Sequence, residues 1–135
     1  MRFFQRRRKF SLVKARRKMY KQLNSRASKG DMRAMYRLAK LFYHEKDRHY
    51  YPMIFKWINV LCDKTKDPAV WMMRGDMLFL GCGTDKNWDK ALVSYEKALS
   101  EDIVMGKDTP LSLEMHTYLE KQIFRLRKAA TEKSN

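Results

Sequence analysis

The sequence predicts an all-α fold: a short α-solenoid of antiparallel helix pairs, about six helices in all, with capping helices at both ends. Three observations carry this expectation. Apolar residues recur at steps of three and four in six separate stretches, the spacing that gives a helix one buried face. Only 5 Gly and 3 Pro occur in 135 residues, and most of them fall between those stretches or at their starts. The middle of the chain also matches itself at an offset near 36 residues, the length of a two-helix unit. No run alternates apolar and polar residues between hairpin turns, so a sheet is not expected.

The elements follow in order. Ser11 is placed to cap a first helix over about 11–27, with Leu12, Ala15, Met19 and Leu23 as its apolar stripe and Lys14, Arg17, Lys18 and Lys21 opposite, before Gly30 stops it. Asp31 caps a second helix over about 32–45, with Ala34, Leu38, Leu41 and Phe42 inward and Tyr36 and Tyr43 flanking. His44 to Tyr51 reads as a polar, solvated loop. Pro52 then opens a third helix over about 52–63, because a first helical turn tolerates a missing N–H. Asp67-Pro68 repeats that pattern for a fourth helix over about 68–80, rich in Trp71, Met72, Met77, Leu78 and Leu80, which Gly81-Cys82-Gly83 breaks. Asn87 or Asp85 begins a fifth, about 87–100, with Trp88, Ala91, Leu92, Tyr95, Ala98 and Leu99 inward. After a loop at 101–108, Thr109-Pro110 is expected to cap a sixth over about 110–130, striped by Leu111, Met115, Leu119, Ile123 and Leu126; Thr131 to Asn135 should fray.

Sliding residues 31–43 forward by 36 places Asp31 on Asp67, Ala34 on Val70, Met35 on Trp71, Ala39 on Gly75, Leu41 on Met77, Phe42 on Leu78 and Tyr43 on Phe79. In the partner helices Met53 falls on Ala91 and Trp57 on Tyr95 at a shift of 38. Within the second copy stand Asp67-Pro68, Gly75, Phe79, Gly81-x-Gly83, Lys86-x-Trp88, Lys90-Ala91, Tyr95 and Lys97-Ala98. In these residues the segment 67–102 resembles a Sel-one-like repeat, a relative of the tetratricopeptide repeat, and 31–66 resembles a degenerate copy. Residues 1–30, a basic segment with an amphipathic helix, and 103–135 would cap the pair. The resemblance implies scaffold roles for the small and aromatic residues. It also implies protein–protein adaptor work in bacterial signalling, secretion or envelope processes. One position departs from the family pattern: Arg74 stands where a Leu usually precedes the Gly, so either the helix rotates slightly or Arg74 lines a pocket.

Charge is the other distinctive feature. The formal net charge is +15, and residues 1–30 hold twelve Lys or Arg and no acid. The segments 31–70, 71–105 and 106–135 carry only +3, −2 and +2. The basicity is therefore a local device at one end and points to an acidic partner there. Its residues are Arg6, Arg7, Arg8, Lys9, Lys14, Arg16, Arg17, Lys18 and Lys21. Three partners compete: nucleic acid through its phosphates, an anionic membrane taking Phe3, Phe4 and Phe10 into its interface, or an acidic groove on a protein. The expected function is a non-enzymatic adaptor or regulator whose basic helix docks an acidic partner. A small nucleic-acid-binding regulator is the alternative, and the membrane surface ranks third.

The remaining chemistry is sparse. Met35, Trp71 and Arg74 are the candidate partner-binding residues on the repeats, where Met and aromatic side chains offer adaptable contacts. His44, Glu45, Asp47 and His49 crowd one loop but match no metal motif, so neither metal nor cofactor is expected. Gly81-Cys82-Gly83 lacks the Lys-Ser/Thr of a phosphate loop, and no nucleophile–His–acid arrangement or small-molecule substrate site is evident. Cys62 and Cys82 read as reduced structural thiols, which suits a cytoplasmic protein. No apolar run reaches the roughly eighteen residues of a membrane span. The first residues lack the apolar stretch of a secretory signal, although an Arg-rich, acid-free start also resembles a mitochondrial presequence.

Overall fold

A computed structural model describes residues 2–134, with side chains from 6 to 133. Among them six α-helices form: α1 Arg2–Ser28, α2 Met32–Leu41, α3 Tyr51–Lys64, α4 Pro68–Leu80, α5 Trp88–Met105 and α6 Leu113–Ser134. Single 3-10 turns precede α3 and follow α5, and no strand occurs among the described residues. The chain is all-α.

Local signals set most of the helix starts. The Asp31 carboxylate accepts from the N–H groups of Arg33 and Ala34 at 3.0 and 3.3 Å, Asp67 from that of Ala69 at 2.9 Å, and Asn87 from that of Lys90 at 3.0 Å. Each satisfies donors that a helix start leaves without partners. Gly81 ends α4 in the left-handed region at φ 74°, where a side chain would be strained. Gly75 serves packing instead: a Cβ there would lie 2.6 Å from the Tyr95 ring, so α4 and α5 approach as closely as they do only because the side chain is absent.

Packing runs along the chain. Each helix lies against its neighbours in sequence, α1 on α2, α2 on α3, and so on to α6. Two apolar clusters fill the interior. One joins α1 to α4 and the other joins α4 to α6, with Phe55 and Trp71 packed against both. Helix α4 separates them, giving Val70, Met73 and Met77 to the first and Met72 and Leu78 to the second. That double burial explains why α4 is apolar nearly all round.

Several expectations change. Helix α1 starts at Arg2 rather than near Ser11, because nothing in the Arg-rich start breaks a helix. Its expected stripe fails at one end: Leu12 is 64% exposed and Ala15 is also exposed, whereas Tyr20, Leu23 and Ala27 are buried. The cause is length. Helix α1 is about 40 Å long at 1.5 Å per residue, and α2, which covers it, only about 15 Å. Helix α2 itself ends at Leu41. Residues 101–105, expected as loop, extend α5. Thr109 does not cap α6; its hydroxyl is drawn to Asp102, and Ser112 instead accepts from the N–H of Met115 at 3.2 Å as α6 begins at Leu113. Helix α6 continues past Thr131 to Ser134; Asn135 lies outside the described residues. Trp88 and Met115 are exposed rather than inward.

Candidate functional site

Every residue from Arg6 to Lys18 is exposed, so the front of α1 is an exposed helical arm about 20 Å long. Its nine sequence-predicted cations, Arg6, Arg7, Arg8, Lys9, Lys14, Arg16, Arg17, Lys18 and Lys21, all lie on exposed positions of this one helix. At 100° per residue they distribute around the whole circumference rather than on one face. Phe10 and Val13 share one face with Lys14 and Arg17 while Leu12 lies on another, so the arm has no continuous apolar stripe and is not the amphipathic helix its spacing suggested. The side chains of Phe3 and Phe4 lie outside the described residues.

The arm is fixed to the body by Glu45. Sequence placed this residue in a solvated loop; it is 8% exposed. Its carboxylate accepts from the Tyr20 hydroxyl at 2.6 Å, from Arg16 Nη1 at 2.9 Å and from the Asp47 N–H at 3.0 Å. Its carbonyl accepts from the Tyr51 hydroxyl at 2.6 Å. Burial and the hydrogen bond to Glu45 together push the Tyr20 phenol far above its ordinary range, so it remains a donor. A second tie is the Trp57 indole N–H, which donates to Asn24 of α1 at 2.8 Å.

The three candidate partner-binding residues separate. Met35 is 2% exposed within the first apolar cluster and is core, not surface. Trp71 and Arg74 do come together, on a cleft of about 530 Å³ between α3, α4 and α5. Arg74 lines that cleft. Its Nε donates to Asn59 at 2.7 Å and its Nη1 to Ser94 at 2.5 Å, and the guanidinium lies 5.9 Å from the centre of the Trp71 ring. The Trp71 N–H is enclosed and has no acceptor. Cys62 borders the same cleft, and burial pushes its thiol up to about 12, away from thiolate chemistry.

Two polar groupings went unnoticed in the sequence. Asp76, inside the apolar α4, accepts hydroxyl bonds from Tyr95 at 2.6 Å, Tyr118 at 2.6 Å and Tyr43 at 2.9 Å. Gln122 completes the group by donating to the Tyr95 hydroxyl at 3.3 Å. The signal that could have flagged it is one acid in the midst of an apolar helix, which burial makes expensive unless donors reach it. Above it lies a cleft of about 390 Å³ lined by Tyr43, Met72, Asp76, Glu114, Met115 and Tyr118. The second grouping sits where α5 meets α6. His116 contacts Asp102 through Nδ1 and Glu120 through Nε2, both at 2.5 Å. The hydrogen bond to Asp102 raises the imidazole above its ordinary value.

No known protein-family model matches the chain, and no curated protein matches it.

Proposed function

We propose that the protein is a non-enzymatic interaction module, a cytoplasmic adaptor or regulator whose helical body holds out a basic arm to an acidic partner. The observation that carries this reading is the arm: thirteen consecutive exposed helical residues, 6–18, in a segment of thirty that contains no acid. Like charges held on one rigid rod repel each other, and a polyanion removes that cost. The body is read as a stack of two helix pairs, 31–66 and 67–102. Its order of packing from each helix to the next agrees with such a stack. Trp71 and Arg74 give it a second surface feature on which a protein partner has both an aromatic ring and a guanidinium to grip.

A specific observation favours nucleic acid as the arm's partner. Cations around the full circumference suit a ligand that surrounds the helix with phosphates, whereas a membrane or an apolar groove needs one apolar stripe. The test is recovery of bound partners from cells with and without nuclease. A protein that stays bound after nuclease and ~0.5 M salt supports the adaptor, because counterion release weakens phosphate contacts steeply as salt rises. Recovery of RNA or DNA alone supports the nucleic-acid reading and overturns the adaptor.

A further inference from the structure

We propose that the cleft over Asp76 is a binding site for the ammonium group of an organic amine, either a lysine side chain or a small alkylamine. This site is separate from the arm and independent of what the arm binds.

The first observation is a charge without a counter-charge. Asp76 is 6% exposed, and none of the ion pairs among the described residues reaches it. The chain has 30 Lys and Arg, so cations are not scarce. Buried carboxylates are ordinarily paired, because an enclosed charge without a partner is costly. Three phenol hydroxyls donating to one carboxyl is an arrangement for the ionised form, yet hydroxyls supply dipoles and no net charge. Burial accordingly holds the Asp76 carboxyl above its ordinary value despite those bonds.

The second observation is the shape and lining of the space above. Oδ1 takes two hydroxyls and Oδ2 only one, so Oδ2 retains capacity for another donor. The cleft that Asp76 lines contains one further charged residue, Glu114, also an acid. The other four are Tyr43, Tyr118, Met72 and Met115. Aromatic ring faces attract an ammonium, and the flexible methionine side chains accommodate its alkyl part. An anion is repelled by both acids. A bare metal ion would need several converging oxygens, and no group of three or more His, Cys, Asp or Glu able to hold one occurs among the described residues. An ammonium carried on an apolar chain satisfies every element of the lining.

The experiment is an NMR titration of the whole chain, followed at the methyl groups of Met72 and Met115 and the rings of Tyr43 and Tyr118. Three probes are used: butylammonium, N-acetyl-lysine methylamide, and uncharged N-acetyl-norleucine methylamide. At least one ammonium probe should shift these signals saturably, and the norleucine compound should bind at least about tenfold more weakly. Preference for butylammonium identifies a small amine as the occupant, and preference for the lysine compound a peptide side chain. Asp76→Asn should weaken the ammonium probe by at least about tenfold. Met115 is exposed at the cleft, so Met115→Lys leaves the core intact and offers a tethered ammonium. It should exclude the probes and raise the thermal midpoint. Equal binding of the charged and neutral probes, no binding of either amine, unchanged binding by Asp76→Asn, or unimpeded binding by Met115→Lys overturns the proposal.

Discussion

The arm of α1 and the cluster around Asp76 both hold charge of a single sign, but one stands in water and the other beneath three tyrosines. The arm carries eight cations in residues 6–18, within a first thirty residues that hold twelve cations and no acid. Solvent and salt screen their repulsion over about 8–10 Å, so the helix persists while its charge stays available. Asp76 has no such screen. Its charge is supported by hydroxyls drawn from residues 33, 19 and 42 positions away, and that support ties the turn after α2 to α4, α5 and α6. The contrast separates two uses of charge. Exposed excess acts on partners and hardly on stability; buried excess acts on stability first.

The largest effect is expected at the arm. Replacing Arg6, Arg7, Arg8 and Lys9 with Gln should weaken polyanion binding on the order of a hundredfold at low salt. It should also flatten the dependence of log K on log salt by about 3–4. The urea midpoint should barely move. Fluorescence anisotropy against a labelled polyanion across a salt series checks the first part, and a large loss of stability would contradict the comparison.

Asp76→Ala should do the reverse. It strands the buried Tyr95 hydroxyl and loosens Tyr43 and Tyr118, at a cost of about 3 kcal/mol, while leaving the arm's affinity for polyanions unchanged. Urea unfolding with an unaltered slope measures it.

Glu45 sharpens the comparison, because it is a buried acid that does have a cation. Glu45→Ala should cost about 2 kcal/mol through the lost Tyr20, Arg16 and Asp47 bonds. Glu45→Gln keeps acceptor geometry and should cost roughly half as much. Both should increase the backbone amide exchange of α1 near Arg16, and equal losses for the two variants would mean that charge, not hydrogen bonding, holds the arm.

The smallest effect is expected at His116. Its hydrogen bond to Asp102 raises the imidazole above 6.5, so the folded state favours the protonated ring. The stabilisation is complete below pH 6.5 and is lost as pH rises through the folded value. The thermal midpoint should therefore decline over that interval in the natural chain and decline less in His116→Gln, as followed by circular dichroism.

How far the fold was legible depends on how local each signal is. Asp31, Asp67-Pro68, Asn87 and Gly81 act within one turn of the chain, and α2 to α5 begin or end near where those residues place them. Ser11 carried the same type of signal and marked nothing, because a capping residue is also tolerated inside a helix whose preceding residues favour it. Thr109-Pro110 failed for a different reason: Asp102 on the previous helix took the Thr109 hydroxyl. Within the candidate sites the same division appears. The basic residues were legible because exposure needs no partner. Arg74 stood out as a departure from the repeat, and it lines a cleft with Trp71. Met35 was misjudged because a methionine reads alike in a core and in a groove.

The sequence by itself determined the all-helical class, the placing of most helix ends and the confinement of positive charge to the first thirty residues. Those properties follow from composition and from interactions a few residues apart. Only the tertiary structure decided that α1 outruns the helix covering it, that Glu45 turns inward to anchor it, and that Asp76 gathers three tyrosines under an open cleft. Each of these depends on which distant side chains arrive at one point, and hydrophobic spacing along a single helix carries no record of that.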